Sequence, residues 1–221
     1  MLSDLPPGFD VVEEQIAVGP HRFDIARPRS AEELIDEDEY AVDERLPYWA
    51  DLWPSGRVLA EWLAGRSPDG ARVLELGCGL AIPSFVAAAS GASVLATDWY
   101  GPALGFVRWN ARRLSLAVPT MLVDWRAPPR ELLAAAPFDL VVAADVLYEA
   151  RNVAPLCDLL PRLVTRGEVV VADPRRPDAT AFLDRLAAAG WDCATTEVPY
   201  SGRRDESGPV VRLHRLTTPI A

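Results

Sequence analysis

A chain of 221 residues with half its positions hydrophobic can bury one sizeable core, and a formal charge of −10 excludes a general nucleic-acid binder, whose phosphate contacts need a basic surface. No apolar run is long and clean enough to span a bilayer, and Met1 to Asp10 has no basic residue ahead of an apolar segment, as a secretory leader would. Cys78, Cys157 and Cys193 are odd in number and show no paired spacing, so a reducing cytoplasm is expected rather than a disulfide framework or a zinc site. All 22 basic residues are Arg, which with abundant Ala and Pro fits a GC-rich bacterial genome.

In chain order, residues 9–27 read as a β-hairpin: one run ending at Val18, a Gly19-Pro20 turn, and a second run from His21 to Ala26. Residues 32–44 carry eight carboxylates and no basic group. They read as a solvated helix with its connector, or as a surface for a basic partner. A Pro-Tyr-Trp-Ala-Asp-Leu-Trp-Pro-Ser-Gly segment follows at 47–56, and Ser55 is placed to cap a helix with Val58, Leu59, Trp62 and Leu63 on one face.

From Ala71 onward, strands and helices alternate. Apolar β-rich runs fall at 71–77, 93–98, 120–124, 138–146 and 168–173, and helical patterns at 81–90, 101–115, 151–164 and 178–189. Strands without polar alternation, separated by helices, predict a parallel sheet covered on both faces. The tail breaks this rhythm: 191–198 and 209–217 both read as strands with no helix between them, which predicts an antiparallel pair.

The first of these strands, Val73-Leu74-Glu75-Leu76, runs into Gly77-Cys78-Gly79-Leu80, and Asp98 ends the next strand. A glycine turn between strand and helix, with an acid about 20 residues on, holds a nucleoside: the backbone approaches the ligand and the acid takes the ribose hydroxyls. A dinucleotide fold wants a third glycine where this chain has Ile82, followed by Pro83, and the phosphate loop of nucleotide hydrolases needs a Lys that this chain lacks. A sulfonium nucleoside, S-adenosyl-L-methionine, needs no phosphate cradle. For it, Gly77 and Gly79 supply the turn, Asp98 the ribose acid, Trp99 a face for the adenine, and Asp124-Trp125 a reach to the base edge. These elements fall at consecutive strand ends, where ligands of such sheets sit.

With these motifs the chain resembles the class I, seven-β-strand methyltransferases from Ala71 onward. That resemblance implies an α/β, Rossmann-like doubly wound sheet of order 3-2-1-4-5-7-6 with strand 7 antiparallel, here preceded by the β-hairpin and a helical extension. Residues 1–56 then form the hairpin, the acidic segment and a cofactor-covering Trp motif, and residues 57–221 the methyltransferase domain. Strand 4 ends in Asp145-Val146-Leu147-Tyr148, which has Val-Leu where enzymes acting on planar amides or base amines carry Pro-Pro. Instead D-x-x-Y resembles the protein-lysine methyltransferase branch. The Trp49 to Gly56 segment is similar to that branch's W-x-x-x-W-P-(S/G)-G signature. Asp173-Pro174-Arg175-Arg176-Pro177 is similar to the D-P-G-R-P stretch of electron-transfer flavoprotein β-subunit lysine methyltransferases, with Arg175 where that pattern has Gly.

The resemblance implies cofactor contacts at Trp53, Glu75, Gly77, Gly79, Asp98, Trp99, Asp124, Trp125 and Ala144, catalytic roles for Asp145 and Tyr148, and a substrate surface of Trp49, Asp145 and Tyr148. No metal is implied. The implied acceptor is a protein lysine, with the flavoprotein β-subunit as a candidate partner, no nucleic acid and no membrane; the chain is expected to be a cytoplasmic monomer. A small-molecule amine or pyridine N-methyltransferase on the same fold is the alternative. Either reaction needs a neutral amine near ~3–3.5 Å from the methyl carbon, whereas a free Lys has a pKa of about 10.4. Desolvation by Tyr148, Trp49 and Trp53 lowers that value, and the charge of Asp145 alone raises it. Asp145 is therefore expected to capture and orient the amine, although it is also placed to cap the helix that follows. Cys78 reads as a small filler, and His21 and His214 as strand residues.

Overall fold

The computed structural model describes residues 8–31, 34, 47–66, 68–200 and 210–218. Apart from Leu34, the acidic run at 32–44 lies outside the described residues. Strands β1 (Val11–Val18) and β2 (His21–Pro28) pair antiparallel around Gly19-Pro20, with Val18 opposite His21. Ile16, Val18, Phe23 and Ile25 turn one face of this hairpin into the core. The other tie is polar: the Asn110 side-chain amide, itself buried, accepts from Ala26 N–H at 2.8 Å and donates to Ala26 O at 2.9 Å. Two buried backbone groups are thereby satisfied, each of which costs about 1–3 kcal/mol when left unpaired.

Helix α1 (Pro54–Arg66) leads into β3 (Arg72–Leu76), α2 (Ile82–Ala89), β4 (Ser93–Asp98), α3 (Gly101–Arg113) and β5 (Thr120–Leu122). Then come α4 (Arg130–Ala135), β6 (Leu140–Ala144), α5 (Val153–Leu163), β7 (Glu168–Asp173), α6 (Ala179–Ala188), β8 (Asp192–Pro199) and β9 (Val210–Thr217). The seven strands from β3 on form one sheet in the order β5-β4-β3-β6-β7-β9-β8. Counted from β3 this is 3-2-1-4-5-7-6, and β9 runs antiparallel to both neighbours. Successive side chains point to opposite faces, so Val73, Val142 and Val170 pack beneath the hairpin, α1 and α2, while Leu74, Val141 and Val169 pack on α5 and α6. The winding reverses between β3 and β6, and the carboxyl ends of those strands open onto the crevice where ligands of such sheets bind.

Several boundaries differ from those expected, for local reasons. The run at 138–146 stops pairing at Ala144 because Asp145 turns into the left-handed region at φ 54°. The run at 120–124 pairs only over Thr120–Leu122. The helix expected over 151–164 begins at Val153 after a 3-10 turn at Ala150–Asn152, and its first turn has no side-chain cap. Asp145 is thus not a helix cap. Nor is Ser55, which lies inside the first turn of α1, its Oγ buried without a hydrogen-bond partner among the described residues. Helix α4, preceded by Pro128-Pro129, has too short an apolar pattern to be read from sequence. Cys78, Cys157 and Cys193 are free thiols, and no described helix is long and apolar enough to cross a membrane.

Candidate active site

The turn after β3 follows from its glycines. Gly77 and Gly79 adopt φ values of 65° and 49°, a region open to glycine without a Cβ penalty. A Cβ on Gly77 would sit 3.1 Å from Val146 Cγ1 and 3.2 Å from the Trp125 ring; one on Gly79 would sit 3.1 Å from the Trp49 carbonyl oxygen. The glycines therefore admit protein as well as any ligand. Cys78 N–H donates to Thr97 O at 2.9 Å, stitching the turn to β4. Asp98 completes it, one carboxylate oxygen accepting from Gly79 N–H at 2.8 Å and the other from Tyr100 N–H at 2.9 Å. Burial raises the Asp98 pKa, partly offset by these backbone amides.

Glu75 lies beneath the turn, 1 % exposed, and accepts from Ser84 N–H at 3.0 Å and Ser84 Oγ–H at 2.5 Å. It thereby takes one orphan donor at the start of α2. Burial pushes its carboxyl up to about 8, against the pull of the Ser84 hydrogen bonds. Cys78, between the glycines, is buried with its thiol pushed well up by burial and by neighbouring Asp98 and Glu75, which makes it an inert filler.

Trp99 and Trp125 flank the turn differently. Trp125 packs on Gly77. One face of Trp99 carries the Arg126 guanidinium, 4.9 Å from the ring centroid. Arg126 is held in place by Asp124, whose Oδ1 accepts both its N–H at 2.9 Å and its Nε–H at 3.0 Å. Asp124 thus anchors the residue that stacks on Trp99, a relation invisible in the pairing Asp124-Trp125.

At the other end of the crevice, Ala144 ends β6 and Asp145 follows with its N–H donating to Ala172 O at 2.8 Å. Tyr148, 39 % exposed, meets Tyr48 edge-on at 5.4 Å, and Tyr48 meets Trp53 edge-on at 5.7 Å. Trp53 Nε1–H donates to Tyr48 O at 2.7 Å, fixing the 3-10 turn Tyr48–Ala50 against the start of α1. Trp49 takes a different place from its neighbours. The residue is 7 % exposed and its ring packs on Phe9 and Phe106, so it is a core anchor for this segment, and Tyr48 is the aromatic that faces Tyr148. Burial, then Glu149, raises the Tyr148 phenol, which keeps its proton at any working pH. The Asp145 carboxylate is gripped by Arg176 from the turn after β7.

All twelve site residues nominated from sequence line one cleft at these strand ends, together with Tyr48, Tyr100, Arg126 and Arg176. Sequence reasoning passed over Tyr48 and Arg176 as site residues. The signal for Arg176 was its place in the D-P-x-R-P stretch; for Tyr48 there was only its adjacency to the Trp motif. Among the described residues no His, Cys, Asp and Glu cluster is arranged to hold a metal. A family model described as lysine methyltransferase matches residues 45–189, spanning the turn, Asp98 and Asp145. The chain belongs to the lysine methyltransferase family.

Relatives within and around that family share its sequence at moderate identity. The chain is 33 % identical over 164 residues to the electron transfer flavoprotein beta subunit lysine methyltransferase of Xenopus laevis, a match covering 70 % of this chain and 65 % of that one. It is 30 % identical over 174 residues to the cypemycin N-terminal methyltransferase of a Streptomyces species, covering 76 % and 65 %. It therefore spans just under two thirds of either relative. Among solved structures, the magnesium protoporphyrin IX methyltransferase of Synechocystis PCC 6803 with bound SAM superposes with a TM-score of 0.59 at 19 % identity, covering 75 % of this chain and 80 % of that one, a likeness of fold.

Proposed function

We propose that the chain is an S-adenosyl-L-methionine-dependent N-methyltransferase acting on a lysine side chain of a protein. One observation carries the reading: Asp145 and Tyr148 line the same cleft as Gly77, Gly79 and Asp98, in a chain of the lysine methyltransferase family. The donor set fits the cofactor. Asp98, which also accepts from the Gly79, Tyr100 and Trp99 amides, has about four lone-pair sites and so can take a ribose hydroxyl. Glu75 and the glycine turn suit the amino-acid end, and Trp99 and Trp125 offer faces to a base. The cofactor supplies a methyl group activated on sulfonium. Trp53, Asp124 and Ala144 complete its proposed contacts.

Asp145 accepts a hydrogen bond from the acceptor amine and turns its lone pair toward the methyl. Tyr148 and Tyr48 exclude water and supply the aromatic wall, with Trp49 anchoring the segment that carries Tyr48 on Phe9 and Phe106. In this reading residues 1–56 cover the cofactor and 57–221 carry the chemistry, which the close approach of Trp49 to Gly79 supports. The acidic charge suits a chain without a nucleic-acid partner and the three free thiols suit the cytoplasm; the chain is taken to act as a monomer. A bacterial source suits the Arg-only basic residues. The flavoprotein β-subunit is the first acceptor to try, given the named relative.

The test is transfer of labelled methyl from the cofactor into a host lysate, dialysed or not, followed by mass spectrometry. The expected product is methyl-lysine in a protein. Label confined to small metabolites would overturn the protein-lysine reading.

A further inference from the structure

The guanidinium of Arg176 lies side-on to the Asp145 carboxylate, Nε–H donating to Oδ1 at 2.8 Å and Nη2–H to Oδ2 at 3.1 Å. The Asp145 side chain is only 7 % exposed. Both residues are fixed from behind. Arg176 N–H donates to both oxygens of the fully buried Asp173, at 3.2 and 3.0 Å, and Asp145 N–H is tied to Ala172 O. The pair is thus preorganised across the ends of two adjacent strands, β6 and β7.

This matters because a solitary buried carboxylate is the wrong partner for a nucleophilic amine. An opposite charge within about 4–6 Å favours the ammonium by roughly 1–3 pKa units, which removes the lone pair the reaction needs. Bidentate pairing changes that. The pair has no net charge, yet a carboxylate has about four lone-pair sites and Arg176 uses two. Asp145 therefore remains a hydrogen-bond acceptor after its charge is cancelled. The other titratable groups facing this point are Tyr48, Tyr148, Glu149, Arg151, Asp98, Tyr100 and Asp173. Glu149 is paired with Arg151, and Asp98 accepts from the Gly79 and Tyr100 amides. Asp173 accepts from the Arg176 amide and has His214 Nε2 of β9 3.9 Å from its Oδ2.

We propose that Arg176 is a positioning residue that cancels the charge of Asp145, so that Asp145 orients an acceptor amine bound in its neutral form. The inference rests on the N-methyltransferase reading above. The neutral amine forms the N–C bond with its lone pair as the methyl C–S bond breaks, its electrons leaving with sulfur as a thioether. The ammonium so formed passes its proton to water.

The experiment is calorimetry of n-butylamine, the lysine side chain in isolation, binding to the protein saturated with S-adenosylhomocysteine. Titrations in buffers of different ionisation enthalpy count the protons exchanged. In the wild type at pH 8 about one proton is released per amine bound, because free butylamine is almost wholly protonated there, and its Kd falls about tenfold per pH unit from 7 to 9. Arg176→Gln binds the ammonium, releases almost none and has a flat Kd, while Arg176→Lys restores the wild-type proton count. A wild type that binds butylamine without releasing a proton, or not at all, overturns the proposal whether or not the variants fold. So does an Arg176→Gln protein with the wild-type proton count. Failure of S-adenosylhomocysteine to bind the wild type is a separate outcome and overturns the methyltransferase reading on which the proposal rests.

Discussion

The Gly79 amide donates to the Asp98 carboxylate across 2.8 Å, so two residues that read in sequence as separate cofactor contacts are first of all partners of each other. The acid shapes the turn before any ligand arrives. Asp98→Ala leaves the Gly79 and Tyr100 amides without their acceptor and removes the proposed ribose contact. It is expected to weaken S-adenosylhomocysteine binding by about 1–3 kcal/mol and to lower the unfolding midpoint as well. Calorimetry and thermal unfolding measure the two effects, and wild-type affinity in the variant would take Asp98 out of the cofactor site.

Gly77 is expected to resist substitution for steric reasons. Its φ of 65° costs an L-residue roughly 1–2 kcal/mol, and the added Cβ would press on Val146 and Trp125. Gly77→Ala should therefore lose at least that much stability in urea and displace Trp125 from the turn. Gly65→Ala, in the last turns of α1 with nothing within 4 Å of its Cβ position, should instead gain about 0.5–1 kcal/mol. Equal effects at the two sites would contradict the packing described for Gly77.

Glu75 makes stability depend on pH in a definite direction. Its carboxyl, raised by burial to about 8 from 4.5, keeps a proton in the folded chain that the unfolded chain has lost between those values. Its contribution to stability is full below pH 4.5 and is lost as pH rises through 8, with a slope of up to about 1.4 kcal/mol per unit. Glu75→Gln, whose amide oxygen still accepts from Ser84, should flatten the profile of stability against pH between 5 and 8. An unchanged slope would mean that Glu75 is ionised in the folded chain.

Tyr148 is expected to act as a wall rather than a base, since burial keeps its phenol protonated. Tyr148→Phe should retain turnover within a few-fold, and Tyr148→Ala should lose about tenfold or more, the equivalent of roughly 1.4 kcal/mol of aromatic contact. Neither should change S-adenosylhomocysteine affinity. Loss of turnover in the Phe variant, measured by methyl incorporation, would assign the hydroxyl a direct role.

The sheet was legible because its signals are local. Val73 to Leu76, Ser93 to Asp98 and Glu168 to Asp173 are short, mostly apolar runs without regular polar alternation, bounded by turns, and two consecutive tail strands have no helix with which to cross over in parallel. The cleft was legible for a related reason: in such a sheet, ligand groups gather at strand ends, and Gly77, Asp98, Asp124 and Asp145 mark four of them. Less was legible where neighbours in sequence part in space. Tyr48 and Trp49 are adjacent, yet one faces Tyr148 and the other packs on Phe106, because a 3-10 turn rotates successive side chains by about 120°.

What the sequence by itself determined is the alternation of strands and helices, the antiparallel pair of the tail, the glycine turn and the identity of the groups that surround it, since these depend on periodicity and on residues that few conformations tolerate. The strand order came only as what the family resemblance implied. What only the tertiary structure decided is which groups hold one another. Asp98 with Gly79, Asp124 with Arg126 and Asp145 with Arg176 are pairings by charge and hydrogen bond. Two of them span 19 and 31 residues of chain. Charges carry no periodicity, so their partners are set by where the β-sheet delivers them.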